Sequence, residues 1–116
     1  MIEIQNVTKV YGKQTVLSCV SATLEAGRIY GLVGINGSGK TTLMRCICGF
    51  THPTSGKIIV NGDEIGKKVD FPKRTGIIIE TPGFLPHYSG LRNLLLLAGV
   101  SHGATKERAA QVMRQV

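Results

Sequence analysis

The stretch Gly34-Ile35-Asn36-Gly37-Ser38-Gly39-Lys40-Thr41-Thr42, entered from the apolar run Ile29-Tyr30-Gly31-Leu32-Val33, decides how this chain reads. It fits the spacing G-x-x-x-x-G-K-[ST], whose glycines let the backbone curl until successive N–H groups converge on phosphate oxygens. In that pattern Lys40 reaches the outer phosphates, Thr41 offers a hydroxyl to Mg2+, and the following helix adds its unpaired N–H groups and positive dipole end. The candidate triphosphate-binding residues are therefore Gly34, Asn36, Gly37, Ser38, Gly39, Lys40, Thr41 and Thr42, with Thr41 also a candidate metal ligand. The flanks agree: residues 29–33 predict a buried strand, and Thr41 to Cys48 predicts a helix closed by Gly49. A dinucleotide-binding turn fits less well, because its third glycine would fall at Thr42 and Lys40 would have no role.

Size and composition bound what surrounds the loop. With 116 residues the chain holds one small domain and a modest core, less than most ATPases built on such a loop need. Its longest apolar run, Leu94 to Val100, is far too short to span a bilayer. The start, Met1-Ile2-Glu3-Ile4-Gln5, has neither a basic flank nor an apolar signal core, which predicts a cytoplasmic chain. Cys19, Cys46 and Cys48 are an odd set that forms no disulfide framework, and all three read as small buried hydrophobes. The net charge of +7 comes from 14 basic against 7 acidic residues. Those bases are scattered, without an aromatic platform between them, so the pattern reads as solvated charge rather than a nucleic-acid surface.

Along the chain, Ile2 to Val7 alternates as a half-buried strand, and Val16 to Leu24 follows as a second after a turn at Gly12-Lys13-Gln14. Beyond the loop helix lies a turn cluster at Thr51 to Gly56, then a strand over Lys57 to Val60 and a tight hairpin at Asn61-Gly62-Asp63. Gly76-Ile77-Ile78-Ile79-Glu80 predicts a core strand, and Thr81 to Pro86 a loop. Ser89 is placed to cap a helix over Leu91 to Ala98; Gly103 precedes a last helix over Ala104 to Val116, with Ala109, Val112, Met113 and Val116 on one apolar face.

Taken together, the chain resembles the ATP-binding subunit of ABC transporters over essentially its whole length. The likeness rests on Ile4 to Gly12, Glu25-Ala26-Gly27, the phosphate loop, and Gly49 to Ile58, in that order and spacing. The resemblance implies an α/β fold: a P-loop NTPase core with a small antiparallel β-subdomain over about residues 1–88, and the start of a helical subdomain over about 89–116. It implies ATP and Mg2+ as cofactors, with Tyr11 stacking on adenine. It also implies a second ATP-binding subunit as dimer partner, a transmembrane permease near Phe84 to Pro86, and a place on the inner face of the membrane. Glu80 stands where the family usually has the Gln that meets Mg2+ and the attacking water. That feature is most similar to subunits of bacitracin and lantibiotic transporters, which export antibiotics in self-protection.

Two other readings stay open at this level. One takes residues 77–80 as an acid-ended strand holding Mg2+ in a miniature NTPase or kinase. The other is an interaction-only or inert truncated product. No Leu-Ser-Gly-Gly-Gln-like signature occurs, the nearest candidate being Ser89-Gly90-Leu91; no Asp-Glu pair ends a later apolar strand, and His52, His87 and His102 read as solvated turns. The chain is thus expected to be the N-terminal part of a transport ATPase, without a complete catalytic set and without hydrolytic activity of its own.

Overall fold

In the computed structural model, residues 1–79, 81–100 and 105–115 are described. They fall into two compact units, residues 1–79 and 80–116. The first is built on an antiparallel sheet of four strands in the order β2-β1-β3-β4. Its strands are β1 (Ile2–Tyr11), β2 (Gln14–Leu24), β3 (Ser55–Val60) and β4 (Asp63–Glu64), and helix α1 (Lys40–Ile47) packs on one face. Ile4 and Val7 of β1, Leu17 of β2, and Ile58 and Val60 of β3 meet Leu43, Cys46 and Ile47 of α1 in one apolar cluster.

Strict alternation along β1 would put Ile2, Ile4 and Asn6 on the core face. The chain avoids burying Asn6 with a bulge: the register with β2 shifts between Ile4 and Val7, and Asn6 takes φ 50°. One extra residue reverses the parity, so Val7 enters the core and Asn6 turns out. There its N–H donates to Ser21 Oγ at 2.9 Å, and Ser21 Oγ donates to Asn6 Oδ1 at 3.0 Å. Beyond the bulge the register with β2 shifts twice more, between Val7 and Lys9 and between Lys9 and Val10. Lys9 stands opposite Leu17, and Tyr11 opposite Gln14. The β3-β4 connection is the expected two-residue hairpin, with Asn61 at φ 51° and Gly62 at φ 88°.

Helix α1 ends as expected at Gly49, which has φ 80°. A Cβ there would stand 1.9 Å from the carbonyl oxygen of Asp70, so close packing as well as backbone conformation requires glycine. Cys46 and Cys48 are buried, but Cys19 is exposed. It lies in an irregular part of β2 at φ 48°, its N–H donating to Thr8 Oγ1 at 3.0 Å, which corrects the expectation that all three thiols are interior.

The two expected core strands at residues 29–33 and 76–79 belong to no ladder among the described residues. Ile29 and Val33 are 102% and 95% exposed, and Ile78 76%. Their β-branched, continuously apolar composition suits a strand covered on both sides, and the described strands all belong to the antiparallel sheet, which leaves those segments unpaired.

In the second unit, α2 (Gly90–Val100) and α3 (Lys106–Met113) pack together. Ser89 caps α2 as expected, its Oγ accepting from Arg92 N at 3.3 Å. The cap of α3 is Thr105, whose Oγ1 accepts from Arg108 N at 3.2 Å, so the helix begins later than its composition predicts. Ala109 is buried, but Met113 on the same face is exposed. Asn93 is 7% exposed, yet fully engaged: Oδ1 accepts from Leu85 N at 2.7 Å, and Nδ2 donates to the carbonyls of Leu85, Tyr88 and Ser89 at 3.1, 3.1 and 3.2 Å. It ties the loop before α2 to the helix. Among the described residues, no helix is long and apolar enough to cross a membrane.

Candidate functional site

The phosphate loop closes onto the N-terminus of α1. Gly37 and Gly39 take φ 83° and 91°, left-handed conformations that turn successive N–H groups to one side. Gly39 is the N-cap, and its carbonyl accepts from Leu43 N at 2.8 Å as the first turn of the helix forms. A Cβ at Gly39 would lie 2.7 Å from Val16 O and 2.8 Å from Leu17 Cδ2. The loop therefore sits hard against β2, and only the absence of a side chain allows it.

This contact brings in a residue that the sequence reading did not single out. Val16 lines a cavity of about 210 Å3 together with loop residues 36–37 and 39–42. Asn36, Gly37, Gly39, Lys40, Thr41 and Thr42 thus come to one place, while Gly34 and Ser38 line a neighbouring hollow with Leu17 and Leu43. Val16 lies far from the loop in sequence and its residue type carries no functional signature. Among the described residues no carboxylate lines the cavity, and the first turn of α1 contains no acid. Helix dipole, backbone N–H groups and Lys40 therefore favour an anion together.

Lys40 folds back on the loop: Nζ donates to Gly34 O and to Ile35 O, both at 2.7 Å. The cradle suits a phosphate group, since it sets the N-terminus of α1, the Lys40 ammonium and the Thr41 hydroxyl around one cavity. Mg2+ bound with a nucleotide keeps several waters and phosphate oxygens as ligands, and Thr41, which lines the cavity, offers a hydroxyl.

Tyr11 is outside that cavity lining. It ends β1, 49% exposed, with Lys9 Nζ 4.8 Å from its ring centroid. Lys9 Nζ also donates to His52 O at 2.6 Å. Burial pushes the Cys46 thiol above its ordinary pKa, with the charge of Lys9 pulling the other way, and burial likewise raises that of Cys48. Glu80, the expected second Mg2+ ligand, lies outside the described residues.

With this geometry in view, the sequence pattern of the family described as ABC transporter matches residues 17–116. The chain belongs to the ABC transporter family of ATP-binding proteins. It is 47% identical over 100 residues to an uncharacterized ABC transporter ATP-binding protein of Bacillus subtilis, covering 86% of this chain and 46% of that relative. It is 38% identical over 117 residues to a bacitracin transport ATP-binding protein of Enterococcus faecalis, covering 97% of this chain and 38% of the relative. The chain thus spans less than half the length of these two relatives. A solved dimeric ATP-binding cassette with ADP and Pi matches its fold with TM-score 0.78 at 22% identity, over 98% of this chain and 55% of that one. That likeness concerns fold alone. The resemblance drawn from residues 4–58 is thereby shown, and the α/β cassette fold with it. Membership in the ABC family also replaces the reading of the chain as a miniature kinase.

Proposed function

We propose that this chain carries the phosphate-gripping part of the ATP site of an ABC transport ATPase. Lys40 supports this most directly. Its ammonium rests on two loop carbonyls beside the cavity, and the outer phosphates of ATP would offer it a stronger, charge-assisted partner. The loop N–H groups would hold the inner phosphates, Thr41 would hold Mg2+, and Tyr11 would stack on the base. Glu80 belongs at the Mg2+ and water position of the same site. When bound, Mg2+ would offset phosphate charge; orientation and grip fall to the chain's own residues.

In this reading the subunit works as a dimer at the inner face of the membrane, driving a permease that meets the exposed Phe84, Leu85 and Pro86. The bacitracin transport relative favours antibiotic export as the process served. Residues 1–88 form the β-subdomain and core of the site, and residues 89–116 open the helical subdomain. Nucleic acid has no part. The 116-residue polypeptide by itself is expected to bind Mg-ATP without turning it over, since signature, acidic strand and switch His are not among its residues.

The test is thermal unfolding of the purified chain with rising Mg-ATP. A ligand held only by the folded state, at a hundred times its Kd, adds about 2.7 kcal/mol. The transition should rise in the native sequence and stay nearly fixed in Lys40→Ala. No rise in the native chain would favour an interaction-only product, and steady-state turnover abolished by Lys40→Ala would overturn the inactivity.

A further inference from the structure

We propose that Lys9 is a positioning residue for the nucleotide base, acting through Tyr11. This rests on the reading above that Tyr11 stacks on adenine. An exposed tyrosine at a strand end has two faces and can rotate about χ1, so a stacking surface there needs something to hold it. Lys9 lies two residues earlier on β1, and its ammonium is 4.8 Å from the ring centroid. That distance is within the range of cation–π attraction.

The ammonium is itself anchored. His52 O accepts from Lys9 Nζ at 2.6 Å, and two further bonds fix the same loop to the same strand: Thr54 N donates to Thr8 O at 2.8 Å, and Val10 N donates to Thr54 Oγ1 at 3.0 Å. Three consecutive residues of β1, just before Tyr11, are thus held by residues 52–54, the segment that follows α1. A cation fixed on one face of the ring leaves the opposite face for a planar heterocycle such as a purine. The base end is thereby tied to the far end of the helix whose N-terminus bounds the phosphate cradle.

The assignment predicts a split that a structural role would not produce. Affinities of the purified chain for Mg-ATP and for inorganic tripolyphosphate with Mg2+ are measured in the native sequence, Lys9→Met, Lys9→Arg and Tyr11→Ala. Lys9→Met should weaken Mg-ATP about two- to fivefold and leave tripolyphosphate unchanged. Lys9→Arg, which keeps a cation over the ring, should restore Mg-ATP binding. Tyr11→Ala should weaken Mg-ATP by about fivefold or more, again without touching tripolyphosphate. Equal losses for both ligands in Lys9→Met, no loss for Mg-ATP, or failure of Lys9→Arg to restore it would each overturn the assignment while leaving the stacking role intact. An unchanged Mg-ATP affinity in Tyr11→Ala, or a native chain that binds no Mg-ATP, would overturn the underlying reading and the assignment together.

Discussion

Replacing Asn93 with Leu should loosen the start of α2 far more than its place in an apolar-rich helix suggests. The native side chain is 7% exposed and serves four backbone groups of the preceding loop. Leu keeps the heavy-atom count and branching, with bulkier methyl groups in place of the amide atoms, so the change chiefly removes polarity. The Leu85 N–H, which gives Asn93 Oδ1 a 2.7 Å, part-buried bond, loses its partner, at about 1 kcal/mol, the low end for an unmet donor because water can still reach exposed Leu85. The carbonyls fare better: each has a second lone pair, and Ser89 O still accepts from Asn93 N at 3.0 Å. Adding a net loss of about 1 kcal/mol for the amide's donated bonds together and allowing for the apolar gain of Leu gives a local cost of about 1–2 kcal/mol. Native-state hydrogen exchange reads this at one amide. Protection at Leu85 should fall by about five- to thirtyfold, since about 1.4 kcal/mol is a factor of ten. Asn93→Asp keeps an acceptor for Leu85 but turns an oxygen toward the Tyr88 and Ser89 carbonyls, so it should restore protection only in part. Leu85 exchange in Asn93→Leu within about threefold of native would refute the clamp.

Two further outcomes follow from the first unit. Gly39→Ala forces a Cβ into φ 91° and to within 2.7 Å of Val16 O, so the loop must lift from β2; left-handed strain alone costs about 1–2 kcal/mol, and both thermal midpoint and Mg-ATP affinity should drop, whereas an unchanged affinity would mean that the Gly39 contact does not set the cradle. The buried thiols predict an alkaline limit. Burial raises the pKa of Cys46 and Cys48 above that of the unfolded chain, so their contribution is complete below the unfolded value and is lost as pH climbs past about 9.0 toward the folded ones. Cys46→Ala should flatten that decline, and in native protein Cys19 should be alkylated first.

How much of this was legible in the sequence depends on how local the cause is. The loop's left-handed glycines and the helix that starts at Lys40 were legible because the pattern demands fixed residue types at fixed spacing, and the Asn61-Gly62 hairpin because two left-handed residues in succession need those types. Residues 29–33 and 76–79 have the composition of core strands, yet whether a strand forms depends on a neighbour, which composition cannot supply. The parity change at Asn6 was hidden, as Ile2 to Val7 alternates plausibly without it. Val16 and Asn93 were missed for one reason: a valine under a loop and an asparagine under a turn acquire their roles only from what folds against them. Lys9 was within reach, two residues before Tyr11 on one strand, but the carbonyl that anchors it comes from His52, 43 positions away.

The unpaired segment 29–33 has a thermodynamic meaning beyond its exposure. It feeds directly into Gly34, so the cradle's shape is held on one side by the Gly39–Val16 contact and on the other by a stretch without ladder hydrogen bonds. Any strand that pairs with 29–33 would favour the ordered cradle, and any triphosphate in the cradle would favour the ordered 29–33. Were both to bind, nucleotide and pairing strand would be heterotropic effectors of each other, and linkage would require each to raise the other's affinity by the same factor.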